Sequence, residues 1–188
     1  VKEIYGLHLW NYQPLGEVGV KTGPVLAAAD LFEIIIKGKG GHGAAPQGTI
    51  DTIVVASQLI NALQTIVSRN TNPLDNAVVT IGKIQGGDNF NIIADKVKLA
   101  GTTRAYTEEN RQLIKNRISE IIDGISVSFG ADIVLDYEDG YPPTINHSMP
   151  TENVMKAASR VVGKGAGSPY LSMGGEDFSY YLQKIPGC

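Results

Sequence analysis

Between residues 31 and 137 the apolar side chains change spacing in a fixed order: alternate, helical, alternate, alternate, helical, alternate. No other feature of the sequence constrains the fold as much. Residues 31–37 (LFEIIIK) form a short β-branched run closed by glycines, the mark of a strand. Residues 51–69 carry Ile53, Ala56, Ile60, Leu63 and Val67 at helical spacing behind Asp51, which is placed as an N-cap. After a turn over 70–76, residues 77–84 read as a second strand. Residues 96–106 read as a third, in which Lys96 and Lys98 alternate with Val97 and Leu99. Thr107 opens a second helix with Glu108 and Glu109 in its first turn and Ile114, Ile118, Ile121 and Ile125 as its stripe. Gly130 stands where a left-handed residue would end it. Ile133, Leu135 and Tyr137 then alternate with Asp132 and Asp136 as a fourth strand.

The order β-α-β-β-α-β predicts an α/β fold containing a ferredoxin-like unit, an antiparallel sheet with both helices on one face. Its second strand would lie at a sheet edge, open to pairing with another copy. The flanks fall outside this unit: residues 1–24 are rich in glycine and proline, and residues 144–188 hold two further helices separated by a loop over 163–172. The sequence therefore reads as one discontinuous domain, residues 1–26 and 141–188, interrupted by a second over 27–140.

Charge and composition remove several function classes. A net charge of -3 with no basic stripe argues against nucleic acid or another polyanion. Apolar residues make up 43% and charged residues 19%, enough for a packed core. No uninterrupted apolar run approaches the roughly 18 residues of a membrane span, and no basic region followed by an apolar run opens the chain. Cys188 is the single cysteine, so an internal disulfide is excluded and a reducing, cytoplasmic setting is expected.

Few residues are placed for chemistry. Residues 38–43 (GKGGHG) satisfy a dinucleotide-binding pattern directly after a strand, but Pro46, Gln47 and Gly48 intervene before the helix and the acidic partner of the next strand is missing. The glycines are better read as letting the backbone turn sharply and hold His42 at a loop tip. His8 lies in the apolar run 4–10, read as a buried strand end, where it is either a hydrogen-bonded core residue or a metal ligand. His147, in a turn before a helix, reads as a solvated loop residue. Arg104 shares the parity of Lys96 and Lys98, the open face of the sheet, and serves there as a solvated strand residue or as a bidentate anion clamp. Asn91 is a turn former or a ligand contact. Met173-Gly174-Gly175-Glu176-Asp177-Phe178 sets a glycine turn before a helix whose Phe178, Tyr181 and Leu182 would pack inward, and that turn can approach a ligand.

Seven segments occur together in order: GLHLW, AAADLFEIIIKGKGGHGAAP, LQTIVSR, GGDNFNIIAD, GTTRAY, GYPPTIN and MGGEDFSYY. In order and spacing they resemble the metal-dependent amidohydrolases that include hippurate hydrolases, N-acyl-amino-acid amidohydrolases and auxin-conjugate hydrolases. The resemblance implies a zinc-peptidase-like α/β catalytic domain interrupted by a ferredoxin-like lid that makes a homodimer. It implies two divalent metal ions, with nothing to choose among zinc, manganese, cobalt and nickel, and hydrolysis of the amide of an N-acyl or N-aroyl amino acid. By it, His8 is a metal ligand, and His42 is the catalytic lid histidine that enters the partner subunit's site. Asn91 and Arg104 hold the substrate carboxylate; the residue reading adds Gly175 and Glu176 as a further substrate-binding turn. The other ligands, a cysteine, two histidines and a glutamate, have no counterpart here, nor does the general-base glutamate. The resemblance thus implies a fragment that is inactive alone and holds metal weakly or not at all. The smaller departures, Gln47 for a common histidine and Ala94 for a common proline, leave it intact. The alternative is a non-catalytic ferredoxin-like module for dimerisation or small-ligand binding.

Overall fold

A computed structural model describes residues 1–188. In chain order its elements are β1 (Val18–Gly19), β2 (Gly23–Leu26), β3 (Ala28–Lys37), β4 (Gly41–His42), α1 (Thr52–Thr65), β5 (Ala77–Gly86), β6 (Ile92–Ile93) and β7 (Lys96–Ala105). They continue with α2 (Glu108–Phe129), β8 (Asp132–Tyr141), β9 (Thr144–Asn146), α3 (Ser148–Val162), β10 (Ala166–Gly167) and α4 (Phe178–Leu182). Contacts divide them into an inserted unit, residues 30–103 and 109–139, and a flanking unit, residues 1–29, 104–108 and 140–188.

The inserted unit is built on a four-stranded sheet of order β5-β7-β3-β8. The strand after the first helix is thus at an edge, with β7 between it and β3, the arrangement of a split β-α-β. Alternate residues Phe32, Ile34, Ile36, Val97 and Leu99 are inaccessible or nearly so, as are Val55, Leu59, Leu63 and Ile66 of the first helical segment and Ile114 and Ile118 of α2. One face of the sheet therefore receives both helices, and each such side chain contributes about 1.5–3 kcal/mol of transfer free energy. Asp51 caps α1 by accepting hydrogen bonds from the N–H groups of Ile53 (3.0 Å) and Val54 (3.3 Å). Gly130, at φ +66°, ends α2 in the left-handed region.

Two helix stripes differ from the sequence reading. In α1 the buried residues are Thr52, Val55, Ala56, Leu59 and Leu63, while Ile53 and Val67 are exposed. Because α1 is apolar on more than one face, spacing alone offers two stripes, and the buried one includes Thr52, whose hydroxyl donates to the Ala94 carbonyl at 2.8 Å. In α2 the stripe runs Arg111, Ile114, Ile118, Ile122, so Ile121 and Ile125 sit at its margin.

The flanking unit has only short pairings: β1 with β10 in parallel and β2 with β9 antiparallel. Residues 4–10 are not the buried strand end that their apolarity suggested. Their ladder is the single bridge Ile4 to Gly187, and Leu7 and Leu9 are 80% and 86% exposed. The backbone of residues 4–6 hydrogen-bonds only to residues 186–188, and beyond them no strand runs alongside for Leu7 and Leu9 to pack within. Likewise Tyr181 is exposed, and only Leu182 of the three predicted inward residues of α4 is fully buried. His147 is more than a solvated residue: it is the N-cap of α3, and its Nδ1 accepts from Gly187 N–H at 3.2 Å. No helix is long and apolar enough to cross a membrane.

Candidate active site

His8 is exposed, and its ring is stacked on Trp10 at a centroid distance of 4.2 Å. Its Nδ1 lies 2.9 Å from the carbonyl oxygen of Leu9, which can only accept, so Nδ1 carries the proton. In the neutral ring that leaves a lone pair on Nε2, the form a metal ligand needs. Glu176 Oε2 lies 3.4 Å from this nitrogen. A lone pair and a carboxylate oxygen at that distance repel unless a proton or a metal cation sits between them. The donor pair therefore fits part of a metal shell. It does not complete one, because no group of three or more His, Cys, Asp or Glu side chains is gathered in the chain. Both side chains line a cavity of about 540 Å³ within the flanking unit, together with Trp10, Leu26, Thr144 and Cys188. Burial pushes the Cys188 thiol up.

His42 stands in β4, which pairs antiparallel with β6. The glycines before it are explained by crowding, not by the sharp turn expected from the sequence, since none of Gly38, Gly40 and Gly41 has a positive φ. A Cβ on Gly40 would come within 2.8 Å of the Ile93 carbonyl oxygen and one on Gly38 within 2.3 Å of that of Ile50. The loop must therefore lie against neighbouring backbone. His42 is exposed, and its Nδ1 accepts the N–H of Ala44 at 3.1 Å. The neutral ring then carries its proton on Nε2, the tautomer opposite to that of His8. Asn91 is drawn to this loop: its carbonyl accepts from Gly43 N–H at 2.8 Å, and its exposed side chain belongs to the same edge.

Arg104 is half-buried on β7, between the inward Thr103 and Ala105. The glycine at position 175 is accounted for by packing, because a Cβ there would meet Ala29 Cβ at 2.6 Å and Tyr141 at 3.1 Å. Glu176 is held by its turn, with its carbonyl accepting the Ser179 hydroxyl at 2.6 Å. The structure thus brings His8 to Glu176 in the flanking unit and His42 to Asn91 in the inserted unit. The groups that sequence reading missed are the Leu9 carbonyl and the Ala44 N–H. Both are backbone, and no side-chain pattern announces them.

Residues 29–128 match the peptidase dimerisation domain of the M20 family. The chain is similar to an N-acetyl-L-cysteine deacetylase of Bacillus subtilis, 43% identical over 187 residues, covering 100% of this chain and 45% of that protein. It is also similar to an N-acetyldiaminopimelate deacetylase of Bacillus cytotoxicus, 43% identical over 184 residues, covering 98% of this chain and 49% of the other. The chain spans about half the length of the curated relatives it matches. Among solved structures it resembles a dinuclear metal binding peptidase of the M20 family from Bacillus subtilis, at 34% identity and a TM-score of 0.81, covering 100% of this chain and 46% of that one. With a family match over more than half its length and these relatives across its whole span, the chain belongs to the M20 peptidase family and carries its dimerisation domain.

Proposed function

We propose that this chain is part of a metal-dependent amidohydrolase that cleaves the amide bond of N-acyl or N-aroyl amino acids and works as a homodimer. The observation that supports the reading is the approach of Glu176 Oε2 to His8 Nε2 at 3.4 Å in a chain whose residues 29–128 match the M20 dimerisation domain. With Nδ1 directed at the Leu9 carbonyl, a neutral His8 ring would turn Nε2 to a cation, whereas His42, whose Nδ1 accepts from Ala44 N–H, would present an N–H at the same ring position. One suits a ligand to a cation, the other a donor to an oxyanion. Divalent metal, when bound, supplies Lewis-acid polarisation and a water-derived nucleophile at neutral pH. His8 would hold part of that metal, with Glu176 beside it. The N–H of His42 would stabilise the negative charge that develops on the scissile carbonyl oxygen. Arg104 and Asn91 would hold the free carboxylate of the amino acid, and the turn at Gly175 would border the substrate. Residues 1–26 and 141–188 would belong to the catalytic domain and residues 27–140 to the lid. The edge position of β5 favours dimerisation by strand pairing across a two-fold axis.

In this reading His42 serves the site of the opposite subunit, and complementation tests it. In the full-length protein, His8→Ala breaks the metal site and His42→Ala removes the oxyanion donor, an alteration that commonly lowers turnover about a hundred- to a thousandfold. Mixed after subunit exchange, the two inactive variants are expected to regain activity, because each heterodimer has one site with both histidines. Activity that stays absent while exchange is shown independently would overturn the assignment in trans.

A further inference from the structure

Four side chains that the proposed chemistry does not use meet in the interior of the inserted unit. Asp30 is 1% exposed and Arg111 is 8% exposed. Arg111 grips the Asp30 carboxylate with Nη2 to Oδ1 at 2.6 Å and Nε to Oδ2 at 2.9 Å. The Tyr137 hydroxyl donates to Oδ2 of the same carboxylate at 3.0 Å. A phenol has one proton to give, so at the 2.8 Å contact between Tyr137 and Thr103 it is the threonine hydroxyl that donates. Burial pushes the Tyr137 phenol well above its ordinary range, which keeps that proton in place. The tyrosine ring is parallel to Phe32 at 6.4 Å and has Lys115 Nζ at 4.9 Å from its centroid.

Stability alone is a weak reason for such a cluster. Replacing a buried ion pair by apolar side chains of similar volume is often neutral or stabilising, so the placement of the pair, not its energy, is what calls for an account. The four residues come from β3, β7, α2 and β8, and each lies within a few residues of a point where the chain passes between units. Thr103 is the last residue of the inserted unit on β7, 2% exposed, and Arg104 is the next residue. Successive strand side chains point to opposite faces, so whatever fixes Thr103 also fixes the direction in which Arg104 leaves the strand.

We propose that Asp30, Arg111, Tyr137 and Thr103 form a positioning cluster that holds the end of β7 and thereby sets the approach of Arg104 to the substrate carboxylate. This rests on the carboxylate reading of Arg104. It is tested in the full-length, metal-loaded protein with N-acetyl-L-cysteine and its C-terminal amide, which differ in the group that Arg104 would hold. Thr103→Val and Tyr137→Phe are expected to raise KM for the acid roughly three- to tenfold, well inside the hundredfold that a displaced group can cost, with kcat and the amide little changed. Thr103→Ser, which keeps the hydroxyl, restores the KM of the acid. Arg104→Ala is the control and should raise KM for the acid by about ten- to a hundredfold while sparing the amide. If Arg104→Ala weakens acid and amide equally, the carboxylate reading fails and the inference falls with it. If Arg104→Ala discriminates but the cluster variants affect both substrates equally or neither, the carboxylate reading stands and the positioning role is overturned.

Discussion

The inserted unit closes its sheet and both helices over Phe32, Ile34, Leu59, Leu99, Ile114 and Ile118, all at most 2% exposed, whereas the flanking unit leaves Leu7, Leu9 and Leu15 almost wholly in the open. Local pattern explains part of this difference. In the first, β3, β7, α1 and α2 each have a buried apolar face, while the second has strands of two to four residues beside the helices α3 and α4. Exposed apolar side chains gathered on one segment mark a surface that associates with something else. The comparison teaches that the unit bearing His8 owes less of its stability to its own interior than the unit bearing His42.

Three measurements would break or sharpen that contrast. The largest effect is expected in the core of the inserted unit: Ile118→Ala should cost about 2–5 kcal/mol in chemical denaturation, because it opens a cavity among inaccessible side chains. Leu9→Ala, by contrast, should change stability by no more than about 0.5 kcal/mol. Equal losses at the two positions would mean that residues 4–10 are packed in solution, and the contrast would dissolve. A middle effect is expected at the start of α1, where Asp51→Ala removes the acceptor of two backbone N–H groups and should cost about 0.5–2 kcal/mol, with Asp51→Asn retaining most of the stability. The smallest effect concerns pH. The Tyr137 phenol titrates above its ordinary value near 10.0, mainly because it is buried. A raised folded-state pKa contributes stability that is complete below the unfolded value and is lost as pH climbs through the folded one. The inserted unit should therefore weaken as pH rises above about 10. Tyr137→Phe should flatten that part of the profile, measured by thermal unfolding across alkaline pH; an unchanged slope would show that other groups set it.

Much of the inserted unit was legible from spacing because its strands are long and one-sided. Lys96 and Lys98 alternate with buried Val97 and Leu99, and Asp51 and Gly130 mark helix ends as the physics of caps requires. The phase of α1 was not legible, since Ile53 and Val54 are as apolar as the residues actually buried. Residues 4–10 misled for another reason: apolar content predicts burial only when something is present to bury against, and a local reading cannot supply it. At the site, residue types pointed to His8 and His42, but the property that separates them chemically resides in the Leu9 carbonyl and the Ala44 N–H. Backbone geometry of that kind has no letter in a sequence.

The place of β3 and β8 in the sheet has an architectural consequence. They are neighbours, and the contacts of Asp30 with Tyr137 and of Lys37 with Asp132 run in opposite senses along the two strands. The strand that enters the inserted unit and the strand that leaves it therefore begin and end side by side. A module with adjacent ends can be spliced into a host loop at a small entropic penalty for ring closure, since the host need hold only a narrow gap. Residues 30–139 taken whole, with the stretch 104–108 carried along, are therefore portable: they can be grafted, exchanged or removed at one point of a chain.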